Sequence, residues 1–468
     1  MGFIPQIWAA YSIVVLMALL VASGMAAQFH RKKGMAFWLS TAFLLALAAL
    51  AAYEFAMSAN LVLFDLLHVY AFSMFFTTLF AVGLELANAL SYGHSTRFIE
   101  ISALLGFAAV GIFVLPMAYS LLTIIIAIEL TAVPTALMIA IGGKRDLEPA
   151  VKLLLLSSIA IAVLAFAVSL VFPYDMQLSL SMLTANPAIS GSYVVFLSMV
   201  LFIAALAIEA SLFPFNLWVP DVYQGAPGNI TALIAGINKT VAIVALIEIL
   251  FTVFMVSRPA FIAGIAVLSV LTMFFGNLTA MVQSNVKRMF AYSSISQAGY
   301  IMVGIAAASQ YGLSSSAFQM AAHMFMIIGA FAIVLWLEER NIKSVEDYKG
   351  LAMRNGFAGI ALTIIMLSMA GIPPLMGFMG KFLLFSSAIS SGLVALAFIG
   401  IINSFLSIYY YGRLISAIYD RRYERKLAMD RSVKAVVIVT LAVVIAFGIY
   451  PAPLMAITNS VMHSLLAL

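Results

Sequence analysis

The residues of this sequence that could do chemistry are acids and bases inside long apolar segments. In the stretch ALAIEASLFPFNLWVPDVYQGAPGNITALIAGINKTVAIVAL (205–246), Glu209 precedes a proline break and Lys239 follows it. A charged side chain is costly in hydrocarbon and usually faces a bundle interior or a water-filled cavity. The two residues therefore indicate a functional site, and the chemistry available to them is reversible protonation.

Three more ionisable residues lie in similar settings. Glu129 is in IIIAIELTAVPTAL, His323 is in AAHMFMIIG, and Lys381 directly follows GIPPLMGFMG. A histidine can relay protons through both ring nitrogens. Together with Glu209 and Lys239, these residues predict a row of proton-carrying groups through the interior of a helix bundle. The prolines that should interrupt the helices beside them are Pro214, Pro373 and Pro374.

Each of these residues also has a purely structural explanation. Lys239 or Lys381 could extend its ammonium to the membrane surface, although Lys239 lies too deep in its span for this. Glu129 could be a protonated, hydrogen-bonded acid, and His323 could be a structural histidine with satisfied hydrogen bonds. Glu248 follows Lys239 on the same predicted helix, closer to a surface, and its role stays open.

The composition predicts an all-α polytopic membrane protein. Hydrophobic residues make up 65% of the 468 residues and charged residues only 9%, too little charge to cover a soluble fold of this size. The absence of cysteine excludes disulfides and Cys-ligated zinc or iron–sulfur clusters within this chain. We find no hydrolase triad, no metal-ligand spacing and no nucleotide cradle, and the basic residues lie in short loops rather than in a nucleic-acid-binding patch.

About fourteen transmembrane helices of roughly 20 residues fit the sequence. We place them near 6–28, 35–57, 65–90, 97–116, 118–141, 149–172, 191–213, 228–254, 260–282, 289–308, 313–338, 357–390, 393–419 and 432–460. The apolar run 7–27 lacks a basic flank before it, so it is interpreted as the first span and not as a cleaved signal.

The distribution of basic residues supports this count. With the N-terminus outside, twenty of the 23 lysines and arginines fall in or beside the inner loops, as the positive-inside rule expects. They are Arg31, Lys32, Lys33, Arg97, Lys144, Arg145, Lys152, Lys287, Arg288, Arg340, Lys343, Lys349, Arg354, Arg413, Arg421, Arg422, Arg425, Lys426, Arg431 and Lys434. Arg258 is in an outer loop, so Lys239 and Lys381 remain as the two intramembrane lysines. Both termini are predicted outside.

The two interrupted spans suggest internal symmetry. FPFNLWVP (213–220) breaks one span and GIPPLMGFMGK (371–381) breaks another in the second half. Paired Gly/Pro-broken segments in the two halves are typical of inverted-repeat transporters, and they point to the ion site.

Several motifs resemble those of a known family, the antiporter-like membrane subunits of respiratory complex I. They are ELTAVPTALMIAI, EPAVKLLLLSS, SLFPFNLWVPDVYQGAPGNITALIAGINKT, NVKRMFAYSSISQAGYIMVG and GIPPLMGFMGKFLLF, spread over 129–385. PDVYQGAP and the GFMGK lysine are most similar to the N-type subunit. The resemblance implies a proton-translocating subunit of an NADH:quinone oxidoreductase, or of a related ferredoxin- or F(420)H(2)-linked complex.

The resemblance also implies an architecture: one membrane domain over 1–468, with two inverted five-helix repeats and broken helices 7 and 12. Helices 1–3 would occupy 1–96, the first repeat 97–254, the second repeat 260–420, and helix 14 residues 432–468. Flavin, iron–sulfur clusters and quinone are expected in partner subunits, because no redox centre is evident in this chain. It would not be an oxidoreductase alone. The implied location is the plasma membrane of a prokaryote.

The resemblance assigns roles to three residues and exposes one departure. Glu129 matches the family's helix-five glutamate, Lys239 its helix-eight lysine, and Lys381 its helix-twelve lysine. Where the family usually has a lysine two residues before SLFPF, this chain has Glu209. Two carboxylates that share a site should hold one proton between them.

Two alternatives remain open at this point. The D-type subunit of a multisubunit cation/proton antiporter, or the matching subunit of a membrane-bound hydrogenase, shares most of these motifs. A standalone solute transporter would need a polar substrate pocket, but the spans are mostly aliphatic and aromatic apart from the ionisable residues.

Overall fold

The computed structural model describes residues 3–142, 147–186, 189, 192–420 and 426–467, and most of them are helical. Five residues used in the topology prediction, Lys144, Arg145, Arg421, Arg422 and Arg425, lie outside the described residues. Among the described helices, eleven are long and apolar enough to cross a membrane, and three shorter apolar helices accompany them. The prediction of an all-α polytopic membrane protein is confirmed.

The helices up to the first break are as follows: α1 (Phe3–His30), α2 (Lys33–Ala56), α3 (Ala71–His94), α4 (Phe98–Val114), α5 (Leu121–Gly142), α6 (Glu148–Val171), α7 (Leu180–Ala185) and α8 (Tyr193–Glu209). Short 3₁₀ helices at Leu115–Met117 and Phe172–Tyr174 extend α4 and α6. Each corresponds to an expected span except α7, a short helix between spans.

The remaining helices are α9 (Trp218–Gly225), α10 (Gly228–Leu233), α11 (Lys239–Phe251), α12 (Arg258–Met281), α13 (Val286–Ala306), α14 (Gln310–Glu338), α15 (Leu351–Arg354), α16 (Gly356–Ala370), α17 (Met376–Ser390), α18 (Val394–Ile418), α19 (Arg431–Ile449) and α20 (Ala452–Leu466). A π-helix at Ile234–Asn238 joins α10 to α11. Further 3₁₀ helices lie at Met255–Ser257 and Val345–Tyr348.

Two expected boundaries are wrong. The span expected from residue 65 begins at Ala71, because Leu61–Leu63 (β1) and Leu67–Val69 (β2) pair as an antiparallel hairpin before it. The span expected over 432–460 is two helices, α19 and α20, which Pro451 separates. Proline lacks the backbone N–H that a continuous helix needs, so it favours this interruption.

The chain divides into two compact units. The first consists of Met1–Ala210, Ile237–Phe261 and Ser460–Leu468, and the second of Ser211–Gly236 and Ile262–Asn459. Each unit is therefore assembled from separate stretches of the chain, and α11, which carries Lys239, lies within the first unit.

Close helix packing holds the first unit together. A Cβ at Gly111 of α4 would clash with the backbone of Ala127 and with Thr131 on α5. A Cβ at Gly24 of α1 would come 2.6 Å from the Cα of Ala103 on α4. Small residues permit such approaches between membrane helices, where van der Waals packing replaces the hydrophobic effect as the stabilising force.

The second unit is built around α14. This helix is buried through its most apolar 18-residue window, and it contacts α10, α13, α16, α17 and α19. A helix that is hydrophobic on all sides is typical of such a central position. At its end, Glu338 accepts hydrogen bonds from the Lys287 Nζ of α13 at 2.9 and 3.1 Å, and the same ammonium donates to the Ala226 carbonyl at 2.6 Å.

Both predicted helix breaks are present. After α8 ends at Glu209, residues 211–217 are non-helical, and the Phe213 N–H donates to Thr272 Oγ1 at 3.1 Å. After α16 ends at Ala370, α17 starts at Met376, and the Gly377 N–H donates to Ser368 Oγ at 3.0 Å. Threonine and serine hydroxyls thus satisfy backbone groups that the breaks release, as a non-aqueous environment requires.

Candidate functional site

Lys239 is the first residue of α11 and directly follows the π-helix Ile234–Asn238. Its side chain is 4% exposed, and every residue of α11 is buried. In a π-helix the hydrogen bonds run from i to i+5, which widens the turn locally and is frequent at functional sites. The neighbouring Asn238 amide donates to Thr135 Oγ1 of α5 at 3.0 Å. Lys239 thus directly follows an irregular turn and begins a fully buried helix.

Glu129 of α5 and Glu209 of α8 belong to the same unit, and their carboxyl groups are close enough for an electrostatic interaction. The Ser157 side chain of α6 hydrogen-bonds to the Glu209 carboxyl group. One carboxylate oxygen of each glutamate is buried without a hydrogen-bond partner among the described residues. Two such acids cannot both be charged at low cost in a weakly polar interior. The expectation that Glu129 and Glu209 share one proton stays a prediction.

Lys381 lies in the first turns of α17, after the second break. Its Nζ donates to the Ala370 carbonyl at 3.1 Å and to Ser404 Oγ at 2.9 Å. The Ala370 carbonyl is at the end of α16, where the break leaves it free to accept from outside the helix. Gly371 has a φ of +89°, and a Cβ there would come 3.1 Å from Lys381 Cδ. The break therefore supplies both an acceptor and space for the lysine.

A cavity of about 330 Å³ adjoins Lys381. Its walls come from the break, α17 and α18, and they are mostly apolar, with Lys381, Ser386 and Ser404 as the polar side chains. Phe382 on its rim is 53% exposed, so this side of α17 is a surface of the chain. Lys381 is therefore only 3% exposed, but it lies close to the apolar surface of the chain.

His323 is in the middle of α14 and is buried. Its Nε2 lies 3.3 Å from the Ser294 Oγ of α13, and the Tyr223 side chain also hydrogen-bonds to Ser294. The imidazole is thus part of a short polar chain within the second unit.

The structure distributes the predicted residues over the two units. Glu129, Glu209 and Lys239 are in the first unit, whereas His323, Lys381 and the three break prolines are in the second. Within the first unit the carboxyl groups of Glu129 and Glu209 interact electrostatically, and within the second Lys381 meets the break that the sequence placed beside it. A single row through all five residues stays a prediction.

Comparison with known proteins identifies the family. Residues 118–407 match the model of the NADH:quinone oxidoreductase/Mrp antiporter transmembrane family, which is more than half of the chain. The chain belongs to this family. The resemblance inferred from the motifs is confirmed.

Related proteins agree with this assignment. The chain is 33% identical to the F(420)H(2) dehydrogenase subunit N of Methanosarcina mazei over 83% of both chains. It is 33% identical to the NADH-quinone oxidoreductase subunit N of Desulfitobacterium hafniense, over 89% of this chain and 90% of that one. It also resembles a chain of respiratory complex I from Thermus thermophilus, with a TM-score of 0.81, 26% identity, and coverage of 95% and 98%.

This family member has two further acids within its apolar helices that the sequence analysis did not single out: Glu54, which is buried, and Glu85, which is partly buried. Glu54 of α2 is fully buried, and neither carboxylate oxygen has a hydrogen-bond partner among the described residues. Glu85 of α3 accepts from Thr41 Oγ1 at 2.9 Å and from Asn88 Nδ2 at 3.4 Å. Both lie within apolar spans, so the intramembrane-carboxylate criterion that selected Glu129 could have found them.

Glu248, whose role the sequence left open, contacts the start of α3. The Tyr70 hydroxyl lies 3.5 Å from Glu248 Oε1, and the Tyr70 ring stacks on His68 of the hairpin with centroids 4.2 Å apart. Nine residues separate Glu248 from Lys239, which corresponds to roughly half a turn of rotation on a regular helix. Glu248 therefore faces away from Lys239 and anchors the far end of α11.

Proposed function

We propose that this chain is a proton-translocating membrane subunit of a redox-driven NADH:quinone oxidoreductase, or of a related ferredoxin- or F(420)H(2)-linked complex. The observation that carries the proposal is Lys239, a buried lysine at the start of the fully buried helix α11, directly after a π-helical turn. Membership of the family and the subunit N names of its relatives support the redox-driven assignment.

The proposed mechanism is stepwise protonation of buried groups. Lys239 and Lys381 alternate between ammonium and neutral amine, and His323 carries protons within the second unit through Ser294. Glu129 and Glu209 hold one proton between them, so the pair can accept or release a proton without leaving two buried charges. The membrane potential acts on each moving charge with about 2.3 kcal/mol per 100 mV, which couples the movement to an energy source.

A second candidate function is a subunit of a multisubunit cation/proton antiporter or of a membrane-bound hydrogenase. The family description supports the antiporter subunit, because it names the Mrp antiporter as well as NADH:quinone oxidoreductase. The genes beside this one distinguish the two. Quinone-reductase and iron–sulfur subunits favour the redox complex, and a cation-antiporter operon overturns it.

The assembly follows from the same proposal. Flavin, iron–sulfur clusters and quinone belong to partner subunits, and this chain contributes the membrane path for protons. The complex resides in the plasma membrane of a prokaryote, with both termini of this chain on the outer face.

The test is Lys239→Ala in the assembled complex, reconstituted into vesicles. Proton pumping coupled to the oxidoreductase should be abolished, while the amount of assembled complex stays unchanged. Lys152→Ala is the matched control, because Lys152 is a partly exposed lysine that pairs with Glu148 at the start of α6 and should pump normally. Near-normal pumping by Lys239→Ala rejects the proposed role.

A further inference from the structure

The ammonium of Lys381 has a third neighbour besides its two oxygen acceptors. Its Nζ lies 4.4 Å from the centroid of the Tyr300 ring on α13. An ammonium has three N–H donors, and the Ala370 carbonyl and Ser404 Oγ account for two of them. The remaining side of the charge faces the π-electrons of a fully buried ring.

Tyr300 is held in this position at both ends of its side chain. Its hydroxyl accepts a hydrogen bond from Asn277 Nδ2 at 3.1 Å, and Asn277 Oδ1 in turn accepts from the Tyr410 hydroxyl at 3.1 Å. Phe385 packs against the ring edge-on, with centroids 6.2 Å apart and planes at 70°. The ring face is thus fixed by neighbours on α12, α17 and α18, which makes it a preorganised surface.

An aromatic face suits a lysine that must change its charge. A carboxylate at the same place would form a buried ion pair, and such a pair resists loss of either charge. The ring quadrupole attracts a cation without carrying a net charge, and the attraction is strongest in a desolvated site. It therefore favours the ammonium but still permits release of the proton.

We propose that Tyr300 is a further residue of the Lys381 site, which binds the ammonium through its ring face and stabilises the proton-loaded state. When the proton passes to the next acceptor, the neutral amine keeps its contacts with Ala370 and Ser404 and loses only the attraction to the ring. The inference rests on the proposed function, since it assigns Tyr300 a part in the protonation cycle of Lys381.

The experiment measures redox-driven proton uptake into vesicles by the complete complex. Tyr300→Phe keeps the ring face and loses the hydroxyl, so uptake should stay within about threefold of the unmodified complex. Tyr300→Leu removes the ring, and uptake should fall roughly ten- to thirty-fold.

A fluorinated series separates the electronic effect from packing. Phenylalanines with one, two or three ring fluorines at position 300 have nearly the same shape, but progressively less electron density on the ring face. Uptake should fall stepwise along the series. The same series at Phe331, a fully buried residue of α14, controls for fluorine in the core and should show no such trend.

The outcomes separate this inference from the proposed function. Lys381→Ala is measured in parallel. If it is inactive, and the fluorinated series is flat or Tyr300→Leu keeps full uptake, the inference fails and the proposed function stands. If Lys381→Ala pumps normally, both fail. A Tyr300→Leu complex that does not assemble leaves the decision to the fluorinated series, which is expected to assemble.

Discussion

The two intramembrane lysines follow different kinds of backbone irregularity, a π-helix and a helix interruption. Lys239 of the first unit directly follows a π-helix that joins α10 to α11 without interruption, and every residue of α11 is buried. Lys381 of the second unit follows a complete interruption, and its helix α17 has an exposed apolar side at Phe382. Its ammonium takes its acceptors from the end of α16 and from Ser404.

The difference shows two ways of making a buried lysine tolerable. A broken helix releases carbonyl groups, one of which can accept directly from an ammonium. A π-helix keeps the helix continuous but changes its local hydrogen bonding and side-chain direction. If each backbone irregularity is needed for the protonation of its own lysine, removing one should stop proton transfer at that lysine without unfolding the other unit.

The strongest test of the comparison removes the π-helix. Deleting Ala235 should convert Ile234–Asn238 to regular α-helix, because a π-turn contains one residue more than the α-turn it replaces. We expect assembly of the complex and loss of proton uptake, measured in vesicles.

Ala235→Ser keeps the length of the segment and is the control, with uptake close to normal. Normal uptake after the deletion would show that the π-helix is irrelevant to Lys239.

The second test acts on the broken helix. Gly371→Ala places a Cβ at a φ of +89° and 3.1 Å from Lys381 Cδ, so it should shift the lysine and lower uptake roughly ten- to a hundred-fold. Gly392→Ala is a matched control, because Gly392 has a similar φ of +81° and no neighbouring atom within 4 Å. Equal losses in the two variants would assign the effect to backbone strain alone.

A smaller effect is expected at the carboxylate pair, which belongs to the first unit alone. Glu209→Gln keeps an uncharged polar group beside Ser157 and Glu129, whereas Glu209→Lys replaces the shared proton by a fixed charge pair. Uptake should fall about threefold or less with glutamine and further with lysine. The control variants are Glu100→Gln and Glu100→Lys, at an exposed glutamate. Equal uptake by both variants and the unmodified chain contradicts proton sharing.

The smallest effect on proton uptake is expected at the hairpin, whose His68 stacks on Tyr70 beside Glu248 of α11. Burial lowers the pKa of His68 to about 4, whereas an unfolded histidine has a pKa of about 6.5. Between these values the unfolded state binds more protons, so stability should increase as pH rises through this window, by up to about 3 kcal/mol.

Thermal unfolding of the purified chain at a series of pH values measures this change. His68→Gln should flatten the dependence between the two values, and His463→Gln, at an exposed residue of α20, should not. An unchanged profile in His68→Gln contradicts the assignment.

Much of the fold could be predicted because hydrocarbon imposes strict rules on sequence. Apolar runs of sufficient length, basic loops and the two proline breaks located the spans to within a few residues. The errors are at short elements. Residues 61–69 are apolar enough to extend a span, but they pair as a hairpin, and Pro451 divides the last span.

The candidate site could be predicted in part. Lys239 and Lys381 stood out because a lysine in an apolar run is rare and costly. Glu54 and Glu85 satisfy the same criterion, but no proline break lies near them in the sequence to mark them further. Tyr300 could not have been selected, because a tyrosine in an apolar helix is usually a packing residue and its value depends on what lies 4.4 Å from its ring.

The sequence alone determined which groups are candidates for function, since charge in hydrocarbon is costly wherever the chain folds. It also determined where helices must break, because proline removes a donor. Only the tertiary structure decided which backbone geometry and which neighbours surround each group. The π-helix at Ile234–Asn238 contains no proline from which it could be predicted. The Tyr300 ring over Lys381 joins residues far apart in the chain, and no local pattern encodes such a contact.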